Sequence, residues 1–76
     1  MMENAEDQPL TLAKLRERVN LTQLQLAVAV GVSITTISDW ENGKKEPRLK
    51  HVKLLLLVLN CSFEELAQAF EQVKSR

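Results

Sequence analysis

Apolar residues recur along this chain in short runs at intervals of three and four, the spacing of one helical face. Leu12, Leu15 and Val19 form the first run. They predict a helix over Leu10–Val19, preceded by Pro9 and stopped by Asn20, with Lys14 and Arg18 pointing away. Thr22 and Gln25 then stand as a capping box, in which a hydroxyl and an amide satisfy orphan backbone donors. Leu24, Ala27 and Val28, with Leu21 just ahead, repeat at helical spacing behind it. Gly31 ends this second helix, because the chain turns sharply there and glycine takes the left-handed conformation cheaply. Ser33 caps a third helix with Ile37 and Trp40 on one side, and Gly43 closes it. A fourth helix, Leu49–Leu59, is expected to face inward through Leu49, Val52, Leu55, Leu56 and Leu59. Asn60 and Cys61 turn the chain, and a second capping box, Ser62 with Glu65, opens the last helix. Its stripe is Phe63, Leu66, Ala67, Phe70 and Val73.

Two short helices, a tight turn containing glycine and a capped second helix are the signature of a helix-turn-helix. With Ile37 and Trp40 inward, Thr35, Ser38 and Asp39 fall on the opposite side of the third helix. That side carries short donors and acceptors, which suit the distinct base-edge patterns of a major groove. Ile34, on the shoulder, suits a thymine methyl, and Asp39 suits a cytosine amino group. The charge of Asp39 repels phosphate, so its use is chiefly to exclude wrong bases. The plainer reading of this face is solvated surface.

Charge changes the picture more than composition does. The chain has 76 residues, 45% of them hydrophobic, enough for one small domain and ordinary for a globular chain. Ten basic residues balance ten acidic ones, which argues mildly against nonspecific nucleic-acid binding. The distribution is uneven. Residues 1–9 include Glu3, Glu6 and Asp7 and are expected to form a disordered acidic tail, ahead of a single domain over 10–74. The acidic tail and closing helix read as the ends of a complete protein. From Lys44 to Lys53 five basic residues meet one acidic residue, a local charge of +4. Lys44, Lys45, Arg48 and Lys50 are therefore candidates for phosphate contact, against the alternative of an ordinary charged loop.

The remaining signals exclude more than they assign. The acidic start lacks the apolar run of a signal peptide, and no stretch approaches the ~20 apolar residues of a membrane span. A single cysteine rules out an internal disulfide and fits the reducing cytoplasm. His51 stands alone, without ligands at metal-binding spacing, and is expected in solvent or near phosphate. There is no catalytic triad, phosphate-cradling glycine loop or paired carboxylate set, so neither an enzyme nor a cofactor or small-molecule substrate is expected. Leu54 and Leu57 fall on the outer side of the fourth helix, near Cys61, a small buried or interfacial hydrophobe, and the three are candidates for a partner face. An extra apolar face on so short a domain implies a partner, most simply a second copy. The alternative is a helix buried all round.

Leu15-Arg16, Thr22-Gln23, Leu26-Ala27, Gly31-Val32-Ser33, Thr36-Ile37-Ser38, Trp40 through Lys44, Pro47, Leu59 and Ser62 through Leu66 stand in a familiar order and spacing. On these residues the chain resembles, from Leu12 to Leu66, the lambda-repressor-like (Cro/XRE-type) helix-turn-helix family. The resemblance implies an all-α fold, a compact bundle of five short helices. It implies that the helix after Gly31 reads the major groove of double-stranded DNA, with Ile34, Thr35, Thr36, Ser38 and Asp39 as base-reading positions. By the same resemblance Gln23, Asn42 and Lys44 lie against phosphate, joining Lys45 and Arg48 of the basic run, and Arg16 and Glu41 form a structural ion pair. Many relatives carry a long Arg, Gln or Lys among the base readers; Ile34, Thr35 and Asp39 here argue against strong readout by a forked side chain. The function so implied is a cytoplasmic transcriptional regulator, a repressor by expectation, binding a palindromic operator as a homodimer. A second possibility is a protein-interaction module or antitoxin-type regulator that binds a partner through Leu54 and Leu57.

Overall fold

A computed structural model describes residues 10–74, with side chains described through residue 71. Five helices follow one another: α1 (Leu12–Arg18), α2 (Gln23–Val30), α3 (Ile34–Glu41), α4 (Leu49–Leu59) and α5 (Phe63–Lys74). No strand occurs among the described residues, and the all-α expectation holds. The tail assigned to residues 1–9 lies outside the described residues.

Local chemistry sets the helix ends. α1 begins two residues later than expected, because Thr11 is extended and its Oγ1 accepts the Lys14 N–H at 3.1 Å. The helix closes through Asn20, at φ 63°, whose N–H donates to the Glu17 carbonyl at 2.9 Å while that of Leu21 donates to the Arg16 carbonyl at 3.2 Å. Both arms of the Thr22–Gln25 capping box are present, at 2.9 and 3.0 Å. Gly31, at φ 86°, turns the chain between α2 and α3, and Ser33 Oγ takes the Thr36 N–H at 3.1 Å. Gly43, at φ 77°, follows the end of α3. Asn60, at φ 51°, ends α4, and Ser62 and Glu65 exchange both hydrogen bonds at the start of α5.

The core takes Leu12 and Leu15 from α1, Leu26, Ala27 and Val30 from α2, and Ile37 and Trp40 from α3. Leu55 and Leu59 of α4 and Leu66 and Ala69 of α5 complete it. Each large side chain so buried contributes about 1.5–3 kcal/mol relative to exposure. α2 packs on α3 and α4, while α1 touches α3, α4 and α5. Helix α3 is thereby clamped on its inner side and left open on its outer one.

Several expected inner positions lie outside. Leu24 and Val28 are 58% and 73% exposed, and Leu26 and Val30 take the inner side of α2 instead. The reason is that α2 (QLQLAVAV) carries no charge and is apolar nearly all round, so spacing alone does not select a face. Leu49 and Phe63 are also exposed, at 69% and 63%. Each is the first residue of its helix, and helical side chains lean toward the N-terminus, past the packed part. Phe63 instead lines a groove of about 340 Å³ with Pro47, Val52, Leu66, Ala67 and Phe70. The side chain of Val73, also assigned to that stripe, lies outside the described ones.

Candidate nucleic-acid interface

At the start of α3, Ile34 and Thr35 project outward and are exposed. The other three base-reading candidates are half-buried. Thr36 Oγ1 lies 3.0 Å from Ser33 Oγ, inside the cap, and Ser38 Oγ accepts from Asn42 Nδ2 at 3.3 Å. Asp39 Oδ2 lies 3.8 Å from Lys45 Nζ. This pair is worth little in stability, since the lysine is solvent-exposed. It does place a cation beside the one negative charge on the outer face, which lessens repulsion of a polyanion.

The loop after α3 folds back on the helix, the Lys44 N–H donating to the Asp39 carbonyl at 2.8 Å. Asn42, Lys44, Lys45 and Arg48 are all exposed, as are Lys50 and Lys53 on α4. Arg48 occupies the N-cap of α4, whose first turn has no side-chain cap. Exposed cations thus run from the end of α3 into α4, directly after the outward-facing positions of α3.

A polar cluster is drawn from three helices. Arg16 Nε donates to Glu41 Oε2 at 2.8 Å, so the expected ion-pair residues stand in contact. Arg16 Nη1 also donates to the Leu21 carbonyl at 2.8 Å. Gln23, expected against phosphate, donates through Nε2 to Glu41 Oε1 at 2.8 Å. Neither this contact nor the pairing of Arg18 with Glu65 on α5 was foreseen from the sequence. His51 also departs from expectation. Its ring packs on Trp40 with centroids 5.5 Å apart, and its Nδ1 is buried without a hydrogen-bond partner. The signal was present, since His51 precedes the buried Leu55 by one helical turn.

On the outer side of α4, Leu57 is 78% exposed and Leu54 lies partly open beside it, so the helix is not buried all round within the chain. Cys61 does not share that openness. It packs against the core, and burial pushes its thiol pKa up.

A helix-turn-helix family profile matches residues 12–66, from the first residue of α1 into α5. The chain belongs to that family. Its similarity to a helix-turn-helix transcriptional activator, BcrR of Enterococcus faecalis, is 39% identity over 62 residues, 82% of this chain and 30% of that protein. It is 33% identical over 55 residues to the cryptic phage CTXphi transcriptional repressor RstR of Vibrio cholerae, covering 72% of this chain and 49% of the relative. It is also 40% identical over 47 residues to the helix-turn-helix regulator DicA of Escherichia coli, covering 62% of this chain and 35% of that protein. This helix-turn-helix chain therefore spans less than half the length of the curated relatives it matches. No solved structure matches it significantly. Among the described residues no helix is long and apolar enough to cross a membrane, and no group of His, Cys, Asp and Glu could hold a metal ion.

Proposed function

We propose that this chain binds double-stranded DNA sequence-specifically and regulates transcription in the cytoplasm. The observation that carries the reading is the outward pair Ile34–Thr35 on a clamped α3, followed at once by the exposed cations Lys44, Lys45 and Arg48. The start of α3 enters the major groove. Ile34 meets a thymine methyl, Thr35 a base-edge donor or acceptor, and Asp39 discriminates at its base pair; Thr36 and Ser38 lie at the margin of the contact. Asn42, Gln23 and the three cations engage phosphate and set the register. Two copies joined through Leu54 and Leu57 bind a palindromic site with half-sites about 34–36 Å apart. Repression follows wherever the site overlaps a promoter; the relatives matched include one activator and one repressor by name.

The test is an anisotropy titration on a duplex recovered from a randomised pool, at two salt concentrations. Lys44→Ala should weaken binding to all duplexes alike and reduce the salt slope by about one. Thr35→Ala should cost about 1–3 kcal/mol on the recovered site and almost nothing on a scrambled one. Equal losses on both duplexes for Thr35→Ala would contradict groove reading by α3. A second reading, a module that binds a partner protein, is favoured by the 78% exposure of Leu57. It predicts that no duplex is enriched from the pool.

A further inference from the structure

The Glu41 carboxylate spends its two oxygens on two different tasks. Oε2 holds Arg16 of α1, and Oε1 holds the side-chain amide of Gln23, the first residue of α2. We propose that Glu41 is a positioning residue for DNA binding: it aims the Gln23 amide at a backbone phosphate, while Arg16 keeps the carboxylate in place. The inference rests on the phosphate role proposed above for Gln23. A carboxylate only accepts, so Gln23 must turn its NH2 group toward Glu41, which fixes the orientation of the amide. One N–H is used at 2.8 Å. The second N–H is left for an outside acceptor at the N-terminus of α2, where the helix end favours an anion.

The clamp is stiff for identifiable reasons. The side chains of Arg16 and Glu41 are only 13% and 9% exposed, so their attraction is little screened by water. Arg16 also holds the Leu21 carbonyl, two residues ahead of Gln23, and so fixes the chain entering α2. An unrestrained glutamine loses rotamer freedom when it binds phosphate, and one already held loses less. The ion pair thus serves the interface as well as the scaffold.

A double-mutant cycle on a mixed-sequence 20-base-pair duplex at low salt tests this, because phosphate contact needs no particular sequence. Gln23→Ala should weaken binding about ten- to hundredfold, as for a hydrogen bond to a charged group. The paired change Arg16→Met with Glu41→Met removes both charges together and should weaken binding about threefold. In the Gln23→Ala background the same pair should cause no further loss. Should the pair fail to fold, Glu41→Gln, which sets an NH2 group against one of the two donors, replaces it in the cycle. The absence of further loss in the Gln23→Ala background is what a purely structural role would not give, and heteronuclear NOE values of the Gln23 side-chain amide in the free protein check the clamp itself. They should be high in the wild type and fall to those of the exposed Gln68 when Glu41 is changed. A loss of affinity that persists without Gln23, or an amide equally mobile in both proteins, overturns the proposal. If the wild type binds but Gln23→Ala has no effect, the phosphate role of Gln23 fails and this inference with it. If the wild type does not bind DNA at all, the proposed function fails first.

Discussion

Glu65 answers to three donors. Its Oε1 takes the Ser62 N–H and Arg18 Nη2, and its Oε2 takes Arg18 Nη1, each at 3.1 Å. The Arg18 guanidinium first, and the Ser62 N–H second, hold its carboxyl below the usual carboxylate range. The sign follows from linkage. A lowered folded-state pKa contributes stability that is complete above the unfolded value and disappears as pH falls through the folded one. The Tm advantage of wild type over Glu65→Gln should therefore narrow steadily from about pH 6 to pH 3 in a calorimetric series, remaining small throughout because the pair is exposed. An advantage that grew with acid would contradict this. Cys61 shifts the opposite way, burial keeping its thiol protonated. Iodoacetamide should alkylate it more slowly than a free cysteine at about pH 8, and urea should remove the difference.

At the scale of elements, Gly31 tests the turn that orients α3. Its φ is 86°, and an added Cβ would meet nothing within 4 Å, so Gly31→Ala carries only the backbone penalty of a left-handed alanine. The expected loss is about 1–2 kcal/mol, read by urea denaturation with an unchanged m-value. This part of the fold was legible because caps and turns are local: Thr22 with Gln25, and Ser62 with Glu65, need only residues three apart. The faces were less legible. The spacing of Leu24 and Val28 fits a buried stripe as well as that of Leu26 and Val30, and only packing against α3 and α4 separates them. Leu49 and Phe63 repeat in phase with the core yet begin their helices and stay 69% and 63% exposed. Among the candidate site residues, Ile34 and Thr35 could be placed from helical phase alone. The Gln23–Glu41 contact could not, because it depends on how α2 and α3 cross.

For the whole molecule, what matters is which surfaces hold the fold and which meet partners. Leu57 and Leu59 are two residues apart on α4, one 78% exposed and the other fully buried. Leu59→Ala should cost about 2–5 kcal/mol, a large fraction of the stability of a domain this small. Leu57→Ser should leave monomer stability within about 0.5 kcal/mol, yet weaken self-association in sedimentation equilibrium if this face joins two copies. A variant that associated as tightly as wild type would move the dimer contact elsewhere. Whether the outer face of α3 reads base sequence is decided by sequence recovery. Wild type and Thr35→Ala would each be taken through several rounds of selection on the same randomised duplex pool. The wild type should recover a two-fold symmetric site, and the variant the same site with preference lost at one base pair in each half. A variant that recovers the wild-type site unchanged, or a wild type that enriches no sequence, would contradict base reading by α3.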